Sequence, residues 1–320
     1  MVHLFPLQRV TVIGDAMLDH YIFGSASRIS PEAPVMVIDE RSTLSVPGGA
    51  ANVAINLRAL GAQCNFVGVV GDDLQATMLS RTLDEKGINA NSLVVDPSRP
   101  TTLKTRIVAN HSHQVLRIDR ENRTKVNPST QNALLAQVMK SLEECDLLMI
   151  SDYAKGCLTE ELVQQLIDIA KNKHIPVVAN PKPSTAAWYR GASLLSLNQF
   201  EAAQAAKIPE VTPEIAIEVA SNLRQNLDTQ GIIVTLRENG MAGSWDGLEA
   251  IVPAIRVEVY DEAGAGDTAI ATLALAISTG ADGKTAMELA VRTAAIVVTK
   301  VGVASVSQEE LLNIANERVS

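Results

Sequence analysis

A glycine-rich turn with an acid beside it, Gly264-Ala265-Gly266-Asp267, directly precedes a long apolar stretch of the sequence. Small residues let the backbone approach a ligand closely, and the N–H groups that open a helix carry partial positive charge. Together these features favour an anion such as a phosphate, while Asp267 could accept a proton from an attacking hydroxyl. We expect the helix dipole to keep Asp267 ionised. The alternative is structural, with Asp267 as the N-cap of a buried helix.

A second glycine cluster, "VPGGAANVAINLRALGA", places Gly48 and Gly49 before another predicted helix. Asn52 lies in the first turn of that helix, where its amide could offer both a donor and an acceptor to a sugar hydroxyl. The alternative is a glycine turn in which Asn52 caps the helix locally.

Polar residues also follow two apolar runs that are typical of buried strands. Asp15 follows the run in "VIGDAMLD", and Asp152 and Lys155 follow the run in "ISDYAKG". The carboxyl ends of parallel strands are where α/β folds bind ligands, and a carboxylate there accepts hydrogen bonds from vicinal hydroxyls. Asp19, four residues after Asp15, is interpreted as a solvated side chain.

The segment "LSLNQFEA" contains Asn198 and Glu201, which share one face if the segment is helical. A glutamate near a phosphate site commonly orders Mg²⁺ through water, because Mg²⁺ retains waters and takes few protein ligands. Glu201 is therefore a candidate for water-mediated metal binding.

These residues need a framework, and the apolar pattern predicts one in which strands and helices alternate. Short β-rich runs occur at 10–13, 147–150, 177–179 and 232–236. Amphipathic stretches long enough for helices occupy 50–60, 73–86, 130–143, 159–172 and 213–227, and two alanine-rich segments, 267–279 and 284–300, predict buried helices. This alternation predicts a parallel sheet covered by helices.

Two segments, 21–46 and 101–121, instead show partial alternation of apolar and polar residues. Such alternation predicts antiparallel strands with one solvated face, and "ANHSH" is a plausible hairpin turn between two of them. The strands could form a small sheet that projects from the main body, or they could be edge strands or surface hairpins of the same domain.

The overall composition excludes several classes of protein. A chain of 320 residues is long enough for one large α/β domain or two modest ones, and its net charge of −9 argues against a nucleic-acid partner. The three cysteines show no C-x-x-C spacing, so we expect neither a disulfide framework nor a zinc site. No apolar run is typical of a signal peptide or a membrane span, and we expect a cytoplasmic protein.

Taken together, these motifs resemble the ribokinase-like (PfkB) carbohydrate kinases along nearly the whole chain. "PGGAANVAINLRALGA" with "GVVGDD" is similar to the amino-terminal signature of that family, "DEAGAGDTAIATLALAI" to its carboxyl-terminal signature, and "LSLNQFEA" to its Asn-x-x-Glu motif. Within the family, "SRISPEAPV", "LRIDRE" and "SDYAKG" resemble the D-glycero-D-manno-heptose-7-phosphate kinases of lipopolysaccharide core synthesis. Many of those kinases are the first half of a bifunctional protein with a nucleotidyltransferase; here we expect the kinase alone.

The resemblance implies a three-layer α/β/α fold with a small β-sheet lid. The chain would form a single kinase domain, 1–320, with lid strands from about 16–46 and 100–120. ATP and Mg²⁺ would be its cofactors, and the reaction would phosphorylate the anomeric C1 hydroxyl of the heptose 7-phosphate to give the 1,7-bisphosphate. The resemblance also implies a homodimer formed through the lids.

The resemblance assigns roles to the motif residues. Asp267 matches the catalytic base of the family. The residues that match its anion hole over the transferred phosphate are Gly264, Ala265 and Gly266. The sugar-binding positions match Asp15, Gly48, Gly49 and Asn52. Asn198 and Glu201 match the positions that serve the nucleotide phosphates and Mg²⁺, and Glu201 would bind the metal through water. Asp152 and Lys155 match a motif near the sugar phosphate. The cations that could bind the 7-phosphate are Arg28, Lys104, Arg106, Lys155 and Lys182.

Two departures from the family pattern keep other functions open. Glu262-Ala263 stands where the family usually has Val-Thr or Thr-Thr, and Asn180 begins "NPKP" where heptose-phosphate kinases typically have Asp-Pro-Lys-Gly. The alternatives are a kinase of another sugar or sugar phosphate, and a non-catalytic sugar or nucleotide sensor. The adenine pocket would include residues 298–302.

Overall fold

The computed structural model describes residues 1–109, 113–245 and 247–316. The predicted turn "ANHSH" includes 110–112, which lie outside the described residues.

Within the described residues, nine strands form the main sheet, in the order β13-β12-β11-β10-β9-β8-β1-β4-β5. Their bounds are β1 (Arg9–Gly14), β4 (Gln63–Val70), β5 (Leu93–Val95), β8 (Leu147–Ser151), β9 (Val177–Asn180), β10 (Leu194–Asn198), β11 (Gly231–Thr235), β12 (Met241–Trp245) and β13 (Leu248–Val252). The pairs from β5 to β11 are parallel, whereas β12 and β13 continue the sheet antiparallel. The four predicted strands are confirmed, and they lie in the centre of the sheet.

Helices cover both faces of this sheet. They are α1 (Ala50–Ala59), α2 (Leu74–Glu85), α3 (Pro128–Ser141), α4 (Glu160–Asn172), α5 (Gln199–Ala206), α6 (Ala216–Asn226), α7 (Ala265–Ser278), α8 (Gly283–Val297) and α9 (Gln308–Asn316). One apolar core contains side chains of α1, α2, α7, α8 and α9, and the other contains side chains of α3, α4, α5 and α6. The chain therefore has the predicted three-layer α/β/α fold, and all seven predicted helices are present.

The central strands contribute side chains alternately to the two cores. Leu147 and Met149 belong to the first core, whereas Leu148 and Ile150 belong to the second. A strand buried on both faces needs a continuous apolar run, which is why the sequence pattern located these strands. In the described part of the chain, no helix has both the length and the hydropathy that a membrane crossing requires.

A second sheet, called here the small sheet, consists of β2 (Ala16–Ile29), β3 (Met36–Gly49), β6 (Thr102–Ala109) and β7 (His113–Arg120). Its order is β3-β2-β6-β7, so the predicted small sheet, separate from the main sheet, is confirmed. The β2–β3 and β6–β7 pairs are antiparallel as predicted, but β2 and β6 run parallel. This parallel pair brings the start of β2 next to the start of β6, beside the carboxyl ends of the central strands.

Candidate active site

Asp267 is the third residue of α7, and the N-cap position of that helix belongs to Gly264, whose φ is 81°. The Asn52 amide donates to Oδ2 of Asp267 at 2.7 Å, and the Tyr153 hydroxyl donates to Oδ1 at 2.6 Å. Both carboxylate oxygens are thus bound by side chains from other elements. The N-cap alternative for Asp267 is wrong.

The surroundings of Asp267 make it a stronger base than an exposed aspartate. Burial raises the pKa of Asp267, while the hydrogen bonds from Tyr153 and Asn52 and the charge of Lys182 lower it. Because the burial effect is the largest, the pKa of Asp267 shifts upward, opposite in direction to the effect expected from the helix dipole. A raised pKa makes the ionised carboxylate a better acceptor for the proton of a hydroxyl.

The first turn of α7 presents backbone donors next to this base. The Ala265 N–H donates to the Glu262 carbonyl, but in the described part of the chain the N–H groups of Gly266 and Asp267 have no acceptor. A Cβ atom at Gly266 would meet no protein atom within 4 Å. Open space, two free donors and the positive end of a helix dipole together fit a phosphate group.

Asn52 connects the amino-terminal glycine cluster to this turn. It is 4% exposed, and α1 has Gly49 as its N-cap without a side-chain hydrogen bond. The local-cap alternative for Asn52 is therefore wrong. The Asn56 amide donates to the Asn52 carbonyl at 2.9 Å and the Thr268 hydroxyl donates to Oδ1 of Asn56 at 2.7 Å, so buried hydrogen bonds fix α1 against α7.

The first of the two glycines before α1, Gly48, makes room for an acid of the small sheet. A Cβ at Gly48 would lie 2.2 Å from Oδ2 of Asp19, and Gly49 has a φ of 57°. Asp19 is 8% exposed and forms an ion pair with Arg106, so its interpretation as a solvated residue is wrong. The predicted contact of Gly48 and Gly49 with sugar stays a prediction.

Two cations of β6 reach this region because β2 and β6 pair in parallel, with Asp19 opposite Lys104 and Tyr21 opposite Arg106. The Lys104 ammonium lies 5.9 Å from the centroid of the Tyr153 ring, and burial lowers the pKa of Lys104. Within the described residues, Lys104 has no carboxylate at ion-pair distance.

The strand-end residues are occupied by contacts within the protein. Asp15, 2% exposed, accepts hydrogen bonds from the N–H groups of Tyr153, Lys155 and Cys157 at 2.8–3.1 Å. Burial and the neighbouring Asp152 raise the pKa of Asp15 to about 6. These three hydrogen bonds give Asp15 a structural role in fixing the backbone of residues 153–157. Its predicted contact with sugar stays a prediction.

Asp152 and Lys155 are similarly engaged. Asp152, 1% exposed, accepts hydrogen bonds from the hydroxyls of Thr185 and Tyr189 at 2.6 and 2.9 Å. The Lys155 ammonium lies 2.6 Å from Oε2 of Glu121. Both residues hold the segment that contains Tyr153, and their predicted role in substrate binding stays a prediction.

The predicted nucleotide side also approaches the Tyr153 ring. Asn198 and Glu201 form a capping box at the start of α5. Oε1 of Glu201 is 2.6 Å from the Lys182 ammonium, which in turn lies 5.1 Å from the centroid of the Tyr153 ring. A carboxylate and an ammonium beside the α7 turn fit a phosphate that carries a hydrated divalent cation.

Arg28 is separate from this cluster. It lies near the end of β2, its side chain is 64% exposed, and its ion pair is with Asp39 of β3 at 3.8 Å. The structure thus brings together Asn52, Lys104, Lys182, Glu201 and Asp267, but does not bring Arg28 to them.

Sequence reasoning missed two residues of the site, Asp19 and Tyr153. A signal existed for Asp19, because Asp19 and His20 interrupt the apolar residues of "AMLDHYIF" at the start of β2. Tyr153 gave no such signal, since an aromatic side chain between Asp152 and Lys155 is also typical of ordinary core packing.

A carboxylate beside unsatisfied N–H groups at a helix start, on a three-layer α/β/α body with a second small sheet, is an arrangement suited to phosphoryl transfer to a hydroxyl. The fold is ribokinase-like: the chain is similar to Escherichia coli phosphofructokinase-2 in complex with potassium (TM-score 0.80, 16% identity, 98% of this chain and 99% of that one). It is also similar to Arabidopsis thaliana ribokinase complexed with ribose and ATP (TM-score 0.76, 17% identity, 96% and 98% covered). Both likenesses show the fold of the chain.

The family follows from the sequence comparison. The model of the pfkB family carbohydrate kinases matches residues 7–310, and the chain belongs to this family. It is 42% identical over 314 residues to the bifunctional protein HldE of Gluconobacter oxydans, covering 97% of this chain and 65% of that protein. It is 40% identical over 312 residues to HldE of Desulfatibacillum aliphaticivorans, covering 97% and 63%. The chain therefore spans less than two thirds of the length of these relatives.

Proposed function

We propose that the protein transfers the γ-phosphoryl group of ATP to the anomeric C1 hydroxyl of D-glycero-D-manno-heptose 7-phosphate. Asp267 accepts the hydroxyl proton while the C1 oxygen forms its bond to phosphorus and the bond from phosphorus to ADP breaks. The N–H groups of Gly266 and Asp267 stabilise the charge on the transferred group. Asn198 and Glu201 would hold Mg²⁺ through water, and the metal would neutralise phosphate charge when bound.

The observation that carries this proposal is the pair of free N–H groups next to the Asp267 carboxylate. Phosphoryl transfer needs alignment and charge stabilisation more than covalent help from the protein, and this turn supplies both within one helix start. The heptose is supported by the resemblance of "SRISPEAPV", "LRIDRE" and "SDYAKG" to heptose-7-phosphate kinases, and by 40% or higher identity to two HldE proteins.

We further propose that residues 1–320 form one kinase domain, with the small sheet as its lid. Residues of β2 and β6 already lie against the site, so closure would exclude water from the reaction. We place the reaction in the cytoplasm, where ATP is available and where the free thiols of Cys64, Cys145 and Cys157 stay reduced.

The direct test is ADP release with Mg-ATP and heptose 7-phosphate, compared with fructose 6-phosphate, ribose and buffer. We expect turnover that depends on the heptose phosphate, with a product that carries phosphate on C1. Faster turnover of another sugar would replace the proposed substrate. Folded protein that is thermally stabilised by the heptose phosphate without releasing ADP would support a sensor.

Lys104→Met is expected to raise KM for the sugar phosphate by about 10- to 100-fold with a smaller change in kcat. The reason is that Lys104 is partly buried near Tyr153 and has no carboxylate partner among the described residues, so it is available for the 7-phosphate. Lys140→Met, on the exposed surface of α3, is the matched control and should leave both constants unchanged. An unchanged KM in Lys104→Met would remove Lys104 from the phosphate site.

We propose that the protein is a homodimer formed through the small sheet, as the family resemblance implies. β7 is an edge strand of that sheet, and Leu116 and Ile118 on it are 51% and 53% exposed. An edge strand with exposed apolar side chains is suited to pairing with a second copy.

The double variant Leu116→Lys/Ile118→Lys is therefore expected to be a monomer by light scattering, because it places charge on the apolar face of β7. Met139→Lys, a change of an exposed methionine on α3, should leave the dimer intact. A wild-type protein that is monomeric at micromolar concentration would contradict the proposal.

A further inference from the structure

Tyr153 lies at the centre of the candidate site and is absent from the motif assignments. Its hydroxyl is 2.6 Å from Oδ1 of Asp267, and its backbone N–H donates to Oδ2 of Asp15 at 2.8 Å. The Asp15 carboxylate, which also accepts from Lys155 and Cys157, thus fixes the turn that holds the tyrosine.

The backbone around Tyr153 has little freedom to move. Ala154 has a φ of 54°, which is rare for a residue with a side chain, and Gly156 has a φ of 84°. A Cβ at Gly156 would lie 2.1 Å from the Thr124 carbonyl oxygen, so this turn is packed tightly against the neighbouring chain. A strained and tightly packed turn of this kind holds its side chain in one place.

The surroundings of the ring keep the phenol in its donor form. The ammonium groups of Lys104 and Lys182 lie 5.9 and 5.1 Å from the ring centroid. Burial, followed by the charge of Asp267, raises the pKa of Tyr153 well above its ordinary value. The phenol therefore stays protonated at neutral pH and donates its hydrogen to Asp267.

We propose that Tyr153 is a positioning residue for the base, and that its hydroxyl acts with the Asn52 amide to fix the plane of the Asp267 carboxylate. The inference rests on the proposed function, in which Asp267 accepts the hydroxyl proton. Tyr153 takes one lone pair of Oδ1 and Asn52 takes one lone pair of Oδ2, which leaves a lone pair on each oxygen for the sugar hydroxyl.

The same hydrogen bond sets how readily Asp267 takes up a proton. Tyr153 and Asn52 donate to the ionised carboxylate, and Lys182 faces it with a positive charge; each of these lowers the pKa of Asp267. Asp19 faces it with a negative charge and raises the pKa. Removal of the phenol hydroxyl therefore raises the pKa of Asp267, because the charged form loses a donor.

The test is Tyr153→Phe, which keeps the ring beside the two lysines and removes only the hydroxyl. Tyr189→Phe is the matched control, because it removes a buried hydrogen bond of 2.9 Å from another tyrosine to another aspartate, Asp152. The Asp267 carboxyl is titrated by ¹³C NMR in protein labelled at aspartate, and its signal is assigned by its loss in Asp267→Asn. Thermal melting and the pH profile of kcat are recorded for each variant.

We expect the Asp267 titration and the acid limb of the kcat profile to move to higher pH in Tyr153→Phe and to stay in place in Tyr189→Phe. We also expect kcat to fall by about 10- to 100-fold in Tyr153→Phe, with KM for the sugar phosphate within about threefold of the wild type. An unmoved Asp267 titration in Tyr153→Phe overturns the proposal, even if the variant is slow. If the wild type turns over no heptose 7-phosphate, the proposed substrate fails, while the NMR titration still decides the role of Tyr153.

Discussion

Asp267→Asn is expected to lower kcat by about 100- to 10,000-fold, because an amide cannot accept the proton of the attacking hydroxyl. The substitution keeps the shape of the side chain and one oxygen, to which the Asn52 amide can still donate, while the Tyr153 hydroxyl can accept from the new amide nitrogen. Binding of the sugar phosphate and of Mg-ATP should therefore change little. The measurement is ADP release under saturating substrates, with calorimetric titration of each ligand.

Asp282→Asn provides the matched control for this prediction. Asp282 is the N-cap of α8, where it accepts a hydrogen bond from the Thr285 N–H, and asparagine caps a helix about as well as aspartate. The control carries the same change at the start of the next helix and should retain the wild-type rate. An Asp267→Asn variant that works at more than a tenth of the wild-type rate would exclude Asp267 as the base.

Gly266→Ala is expected to lower kcat by about 100-fold while leaving the fold as stable as the wild type or slightly more so. A Cβ there meets no protein atom within 4 Å, and alanine in a helix is favoured over glycine by about 0.5–1 kcal/mol. The new methyl group would occupy the open space beside the free N–H groups, where the transferred phosphate binds in the proposed reaction. Thermal melting and steady-state kinetics measure the two effects separately.

Gly14→Ala makes the same substitution at a glycine that is tightly packed within the fold. A Cβ at Gly14 would lie 2.0 Å from the Ser151 carbonyl oxygen and 2.7 Å from the Ala50 Cβ, so β1, β8 or α1 would have to shift. We expect a loss of about 3 kcal/mol in the free energy of unfolding. We thus expect Gly14 to be required for the fold and Gly266 for the proposed reaction. Equal loss of stability in both variants would show that Gly266 is a structural glycine.

The central strands and the helices could be predicted because burial on both faces leaves a continuous apolar run, and burial on one face leaves a helical period. β10 was missed because its apolar residues lie inside the motif "LSLNQFEA", in which the spacing of Asn198 and Glu201 indicates a helix. β12 was missed because "MAGSW" contains little of the β-branched composition that marks strands. The parallel pairing of β2 with β6 could not be predicted, since local alternation contains no information about strand neighbours.

The absence of information about long-range neighbours in a local sequence pattern also explains which site residues could be predicted. Asp267 and Asn52 belong to local motifs, although their mutual contact joins residues 215 positions apart. Asp19 and Arg106 meet only through the β2–β6 register, so the sequence alone left Asp19 as a solvated acid. Tyr153 acquires its partners from a turn, a helix and two lysines on different elements, which no single segment of the sequence specifies.

The packing of α1 against α7 also has a consequence for the order in which the protein is made. Ala50, Ala51 and Ala54 are fully buried in the core that includes α7. During synthesis α1 emerges early, whereas residues 265–278 emerge after most of the chain. The apolar face of α1 must therefore wait uncovered on the ribosome, exposed to aggregation and available to chaperones. Because Asp267 arrives with that same helix, a nascent chain has no base to act with until its core can close.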